Sequence, residues 1–305
     1  YDVLLSNRIF DSLLFWKYDI LFSYFYRYSF FAALLAKCFG KKTYFTGGID
    51  SLDSDYASAF NYKIQALFFK LCYWVADSCI IVSQSDLKNI FKVSSLKKKL
   101  SYSEHVINTK LFIADVPKEK IFTSIVWMGD EGNVVRKGVD KALQIFAELK
   151  KIPEFVDYRF VIIGRKGEGE VLVRSIIDKY NLKGSVELKG EVSEEDKINL
   201  LKQSKYYFQL SLYEGFGLAA LEALCANNII IHSGKGGLAN PIYKEQLLFD
   251  IDNDFDSELL KLVNKLACFT PITSYDNLLE YYDIQRRKDD FEAIIVNGKS
   301  NYKLK

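Results

Sequence analysis

Histidine and methionine are nearly missing from this chain of 305 residues, which holds only His105, His232 and the single Met128. So few imidazoles exclude a histidine-rich metal centre and leave any histidine base to one of two positions. Cysteine occurs five times, at Cys38, Cys72, Cys79, Cys225 and Cys268, with no Cys-x-x-Cys pair. That pattern argues against a disulfide framework and a zinc site, and it suits a reducing cytoplasm. Long apolar runs are lacking as well. The greasiest stretch, residues 12–40, is interrupted by Lys17, Asp19, Arg27 and Lys37. It therefore falls short of the about 18 to 20 apolar residues that a spanning helix requires, and reads as two core elements. Nor does one sign of charge dominate: with a formal charge of +2 and a pI near 8.1, nothing global points to nucleic acid as a partner.

What is present is a folding chain, 49% hydrophobic and 26% charged, long enough for two globular domains. It opens on Tyr1 with its only methionine at position 128, so it reads as a fragment or a reduced form of something longer. Short β-rich runs alternate with helical patterns, the signature of βαβ units and parallel sheets. In the first part, "DVLLS", "DILFSYF", "KTYFTGG", "SCIIVSQ" and "KLSYSEHVI" read as strands, with helices at 28–38 and 55–76. A linker is expected at 112–121, around Pro117. The second series is cleaner: strand "SIVWMG", helix 139–151, strand "YRFVIIG", helix 169–181, strand "SVELKGE", helix 194–204, strand "YYFQLS", the helix of "EGFGLAALEAL", then strand "NIIIHS". Ser193 and Asp196 form a capping pair for the 194–204 helix. The expected division is 1–115, an acceptor-side domain; 116–275, a donor domain; and 276–305, a helical end packing back on the first domain. Two doubly wound α/β sheets of this kind face across a cleft, with ligands at the carboxyl ends of the strands.

The "EGFG" turn follows a strand and opens a helix near Gly217 or Leu218. Its glycines permit close approach, and the free N–H groups of a helix start favour an anion, for which phosphate is the natural guest. Glu214 and Glu222 cannot hold that phosphate themselves, but each can accept hydrogen bonds from hydroxyl groups. A diphosphate with a sugar at each end, one of them ribose, meets both demands.

At these residues "E-G-F-G-L-x-x-L-E-A" resembles the E-x7-E signature of retaining glycosyltransferases of the two-Rossmann-domain (GT-B) fold, the glycogen-synthase-like and mannosyltransferase-like enzymes of family 4 type. "RKGVDKALQIFAEL", "FVIIGRKGEGE", "VELKGEVSEEDKINLLKQS" and "IIIHSGKGGLAN" agree in order, and the likeness extends over almost the whole chain, with a first domain that is short for the family. The resemblance implies a hexosyltransferase of cell-surface glycan or polysaccharide assembly. It would be cytoplasmic or peripheral at the inner face of the membrane, moving a sugar from a nucleotide sugar to a glycan or lipid-linked hydroxyl. By the same resemblance Glu222 binds the ribose hydroxyls and Glu214 those of the transferred sugar, with Glu214 the catalytic position. Gly215 completes the turn, while the amides of Phe216, Gly217 and Leu218 hold the distal phosphate and sugar. Lys137 neutralises the pyrophosphate, Arg136 assists, and Val192 packs the base. No metal and no further cofactor are expected.

The pattern departs from the family at Gly47, where many members carry a histidine, and at Asp130, where an arginine is usual. Those departures favour an alternative, a nucleotide-sugar-binding partner subunit without transferase activity. Lys97, Lys98 and Lys99 read first as a solvated face and second as a contact for anionic lipid. His105 and His232 read as structural, and "GKGGLAN" reads equally as a cleft wall or a plain loop.

Overall fold

The computed structural model describes residues 17–24, 26–47, 52, 58–93, 97–113, 116–269 and 276–297; the strand expected at 2–6 lies outside them. The chain divides into two compact units, residues 1–105 with 285–305, and residues 106–284.

In the first unit four parallel strands run in sequence order, β1 (Ile20–Tyr24), β2 (Lys42–Thr46), β3 (Ser78–Ile81) and β4 (Leu100–Tyr102). Their crossovers all step the same way, so right-handed connections put α1 (Tyr26–Cys38), α2 (Ala59–Val75) and α3 (Gln84–Val93) on one face. Ser58 starts α2 by accepting a hydrogen bond from the Asn61 amide, and Phe69, Cys72, Tyr73 and Val75 form its buried face. These pack with Phe45, Cys79 and Ile81 of the strands. On the opposite face Phe22, Tyr44 and Ile80 meet Phe291, Ile294 and Ile295, from the C-terminal end of the chain.

The second unit holds six parallel strands: β5 (Glu119–Ile125), β6 (Arg159–Ile163), β7 (Val186–Gly190), β8 (Ser204–Gln209), β9 (Ile229–His232) and β10 (Leu247–Leu248). Their spatial order is β10-β9-β8-β5-β6-β7. Order reverses between β5 and β8, which makes the crevice at their carboxyl ends the topological switch point where such sheets take ligands. On one face lie α5 (Val139–Leu149), α6 (Glu170–Lys179) and α9 (Phe255–Cys268), burying Leu143, Phe146, Val173, Leu262 and their neighbours against Phe122, Phe160 and Phe208. On the other lie α7 (Glu194–Gln203) and α8 (Leu218–Cys225), with Leu201, Leu221 and Leu224 packed on Tyr207 and Ile230. Ser193 caps α7 by accepting from the Asp196 amide. The helical pattern near the C-terminus is two helices, α10 (Asp276–Tyr281) and α11 (Ile284–Asn297), α11 being the one that covers the first unit's sheet.

Four features differ from the sequence reading. The expected linker ends earlier, because Glu119 and Lys120 pair with Arg159 (3.2 Å) and Asp157 (3.1 Å) and so belong to a strand entry rather than a loop. The strand expected from Ser124 begins at Glu119 and ends at Ile125. A short helix, α4 (Glu131–Arg136), fills the loop after it, since Asp130 accepts a hydrogen bond from the Asn133 amide at 2.6 Å and caps a turn. Helix α9 and strand β10 complete the sheet beyond β9 and were not anticipated.

Candidate functional site

Three turns meet above the switch point, and they meet backbone to backbone. Gly138, at φ +69°, lies so close to Leu210 that a Cβ there would run into the Leu210 carbonyl. The Leu212 amide donates to the Arg136 carbonyl at 2.8 Å. On the far side of the "LYEGFG" turn a Cβ on Gly236 would strike the Glu214 carbonyl, and one on Gly237 would lie 2.5 Å from Phe216 Cα. The Gly237 amide donates to that Glu214 carbonyl at 2.5 Å. The "GKGGLAN" stretch is thus a wall of this turn rather than a separate loop. Gly164, Gly167 and Gly169 back the turn after β5 in the same way, against the carbonyls of Val126, Met128 and Asp130.

Helix α8 opens from Gly217 at φ +84°, and no side chain caps it among the described residues. A left-handed residue there lets the chain turn from the sheet edge into the helix at no steric cost, leaving the first amides as donors without intrahelical partners. Phe216 is buried with Ala220, Leu238 and Tyr282, which anchors the turn from below, whereas Leu218 is exposed. The Tyr243 hydroxyl donates to the Gly217 carbonyl at 3.3 Å.

Glu214 is held by one oxygen. Lys137 Nζ lies 2.7 Å from its Oε2, and Gln209 Nε2 and Ser211 Oγ each donate to the same Oε2 at 3.2 Å. Gln209 also donates to Ser211 Oγ (2.8 Å), and its Oε1 accepts from the Tyr207 hydroxyl (3.1 Å), which in turn accepts from the Ile125 amide (3.3 Å). Every polar atom of the Gln209 amide is therefore assigned, and three donors converge on one carboxylate oxygen. Among the described residues, Oε1 of Glu214 accepts no hydrogen bond.

Glu222 faces Lys197 of α7 at 3.0 Å, and Lys197 also pairs with Glu194 at 2.8 Å. Burial raises the Glu222 carboxyl above its ordinary range and Lys197 pulls it back. Tyr207 is fully buried, and its phenol is pushed up first by that burial and then by the charges of both Glu222 and Glu214. The two glutamates thus act electrostatically on one buried side chain, one on each side of the α8 start.

The remaining expected residues fall elsewhere around this centre. Arg136 is half-buried and forks onto Asn133 Oδ1 (2.6 and 3.2 Å), within its own short helix. Val192 packs on Ile163 and Leu200 and lines a cavity of about 440 Å³ with Lys189, Asp196 and Asn199. Asp130 spends its side chain on the α4 cap. Tyr207, Gln209, Ser211 and Lys197 were missed from the sequence. The first three carried a usable signal, since alternate residues of a strand share a face and three polar ones in register before a glutamate mark a polar seam. Among the described residues no group of histidine, cysteine, aspartate and glutamate side chains could hold a metal ion.

Sheet topology and the glycine-built crevice define the class: the chain has the α/β, two-Rossmann-domain GT-B fold. Solved structures carry that statement. The structure of Anabaena Alr3699/HepE in complex with UDP-glucose superposes at TM-score 0.75 with 13% identity, over 94% of this chain and 81% of that one. Sucrose-phosphate synthase from Thermosynechococcus elongatus gives 0.68 with 20% identity, over 92% and 72%. More narrowly, residues 132–267 match the family model described as "Glycosyl transferases group 1". The GDP-mannose:cellobiosyl-diphosphopolyprenol alpha-mannosyltransferase of Xanthomonas oryzae pv. oryzae (strain PXO99A) is 32% identical over 163 residues, 47% of this chain and 40% of that protein. The phosphatidylinositol N-acetylglucosaminyltransferase GPI3 subunit of Saccharomyces cerevisiae (strain YJM789) is 27% identical over 129 residues, 42% of this chain and 28% of that protein. The chain thus spans less than half the length of either curated relative.

Proposed function

We propose that the chain is the donor-handling part of a retaining glycosyltransferase that takes a nucleoside-diphosphate sugar and passes the sugar to a glycan or lipid-linked hydroxyl. The observation that carries this reading is the pairing of an uncapped helix start at Gly217 with Glu214, locked through Oε2 by Lys137, Gln209 and Ser211. An anion at the α8 amides and a hydroxyl at Oε1 are the two guests that arrangement accepts. In this reading Lys137 exchanges Glu214 for the pyrophosphate, and Glu222, now paired with Lys197, takes the ribose hydroxyls. Val192 and its cavity receive the base.

Charge develops on the departing diphosphate as the anomeric C–O bond breaks, and Lys137 with the α8 amides meets it, so the reading calls for no metal. The acceptor oxygen attacks from the same face, and its proton goes to the leaving diphosphate oxygen. No side-chain base is then required. His232 is consistent with this, because burial holds its imidazole down at about pKa 4 and its Nδ1 accepts from the Gly234 amide.

The test is a thermal-shift panel of UDP, GDP, ADP and their common sugars on the wild type and Glu222→Ala. One diphosphate should raise Tm, and the variant should lose most of that rise. Curves unmoved by every nucleotide refute the donor site. A second reading, a binding subunit without turnover, is favoured by Asp130, whose side chain caps α4 where the resembled family places an arginine. It requires tight nucleotide binding with neither transfer nor hydrolysis of any donor.

A further inference from the structure

The carboxyl ends of α7 and α8 are tied together by a residue that belongs to neither helix. Lys118 lies one position before β5, and its Nζ donates to the carbonyls of Lys202 at 2.8 Å, Ala226 at 2.5 Å and Leu201 at 3.4 Å. Leu201 and Lys202 lie in the last turn of α7 and Ala226 is the C-cap of α8, so all three carbonyls are among those a helix leaves without internal partners. One ammonium, with three hydrogens, serves all three. Helix α8 has no basic residue in its own last turn, and Lys118 supplies the positive charge that the negative end of its dipole favours. Among the described residues no acid pairs with Lys118, and burial lowers its ammonium to about pKa 8, so carbonyls alone hold it. Asn228, just past α8, adds a second tie, donating through Nδ2 to the Leu201 carbonyl at 2.9 Å and to that of Ser204.

Helix geometry determines what the tie controls. Both α7 and α8 connect parallel strands of one sheet, each running back from its carboxyl edge, so the two helices lie parallel to one another. Lys197 comes four residues before Leu201, and Glu222 four residues before Ala226. That is about one turn, or 6 Å, back from the joined ends on each helix. The two positions therefore face each other, and Lys197 Nζ lies 3.0 Å from Glu222 Oε1. A slip of α8 along α7 by one residue would carry Glu222 about 1.5 Å, roughly half a hydrogen-bond length.

We propose that Lys118 is a positioning residue for the donor site: by joining the carboxyl ends of α7 and α8 it sets Glu222 where the ribose hydroxyls are taken. The inference rests on the donor reading above and adds to it a residue that touches no substrate, from the stretch 112–121 that reads in sequence as a linker.

Calorimetric titration of the wild type and variants with UDP, GDP and ADP, their 2′-deoxy counterparts and inorganic pyrophosphate tests it. For the base it accepts, the wild type should prefer the ribonucleotide by about 10- to 100-fold, as expected of a hydroxyl bonded to a charged acceptor. Lys118→Met should cut that preference to about threefold or less, while pyrophosphate binds within about twofold of wild type. Lys118→Arg, which keeps a cation with several donors, should retain most of the preference. In a Glu222→Gln background Lys118→Met should remove nothing further, because the lysine acts through that glutamate. Where Lys118→Met fails to fold, Lys118→Gln, which has two hydrogens for three carbonyls, carries the same comparison. A preference undiminished in the lysine variants overturns the inference and leaves the donor site standing. So do losses shared equally by ribonucleotide, deoxynucleotide and pyrophosphate, or losses additive with Glu222→Gln. Equal binding of the two nucleotides by the wild type removes the ribose role of Glu222, and the inference with it. A wild type that binds no diphosphate overturns the donor reading as well.

Discussion

Replacing Glu214 by glutamine should move two affinities in opposite directions. Lys137 and Glu214 sit 2.7 Å apart with side-chain exposures of 21% and 16%, between the open surface and the deep interior. At an effective dielectric of about 20 their gross attraction is about 6 kcal/mol. Most of that is offset by desolvation, and a pair of intermediate exposure is worth roughly 1 to 2 kcal/mol net. A diphosphate that recruits Lys137 must first spend that amount. Glu214→Gln removes the pair and a nearby negative charge, so the nucleotide alone should bind about 5- to 30-fold tighter. The nucleotide sugar loses instead a hydroxyl bond to a charged acceptor, about 1.5 to 3 kcal/mol, so its advantage over the bare nucleotide should fall by about 10- to 100-fold. Calorimetric titration with UDP against UDP-glucose and GDP against GDP-mannose measures both. Gln209→Leu, which unlocks Oε2 and leaves Lys137 in place, should reduce only the sugar-dependent part, by about fivefold. Equal losses for nucleotide and nucleotide sugar, or a nucleotide that binds Glu214→Gln more weakly, would refute the assignment of Lys137 and Glu214 to neighbouring parts of one donor.

Two further outcomes concern the fold. Burial holds both histidine imidazoles down at about pKa 4, His105 also facing Arg287, so the unfolded chain takes up protons near pH 6.5 that the folded chain refuses. Their stabilisation is complete above pH 6.5 and is lost as pH falls toward 4, at up to about 1.4 kcal/mol per pH unit for each; Tm should drop between pH 7 and 5, and His232→Gln should flatten that drop. Gly138→Ala places a methyl group against the Leu210 carbonyl at a left-handed φ and should cost about 2 kcal/mol or more by chemical denaturation, with nucleotide binding lost in parallel.

How much of this was legible in the sequence depended on how local the cause was. The second unit's alternation reads directly where an apolar strand such as "RFVII" is followed by an amphipathic helix such as α6. The turn before α8 reads because glycine at a helix start has a local meaning. Lys197 beside Glu222 could not be read, since that contact depends on how α7 lies on α8. Nor could the capping role of Asp130, where one hydrogen bond to Asn133 converts an expected loop into α4. An exposed stripe on α2 was hidden for the opposite reason. Phe60, Leu67 and Trp74 look like core residues in sequence, and only the packing of Phe69, Cys72 and Tyr73 on the other side shows that the core was already filled.

Glycine at 138, 236 and 237 leaves no room for side chains between the three turns above the switch point. Such a joint has no cushion: it cannot be widened by trimming a residue, nor tightened by enlarging one. If the proposed donor site holds, altering it for a bulkier or smaller guest must therefore change the rim, at positions such as the exposed Leu212, and keep the hub as it is.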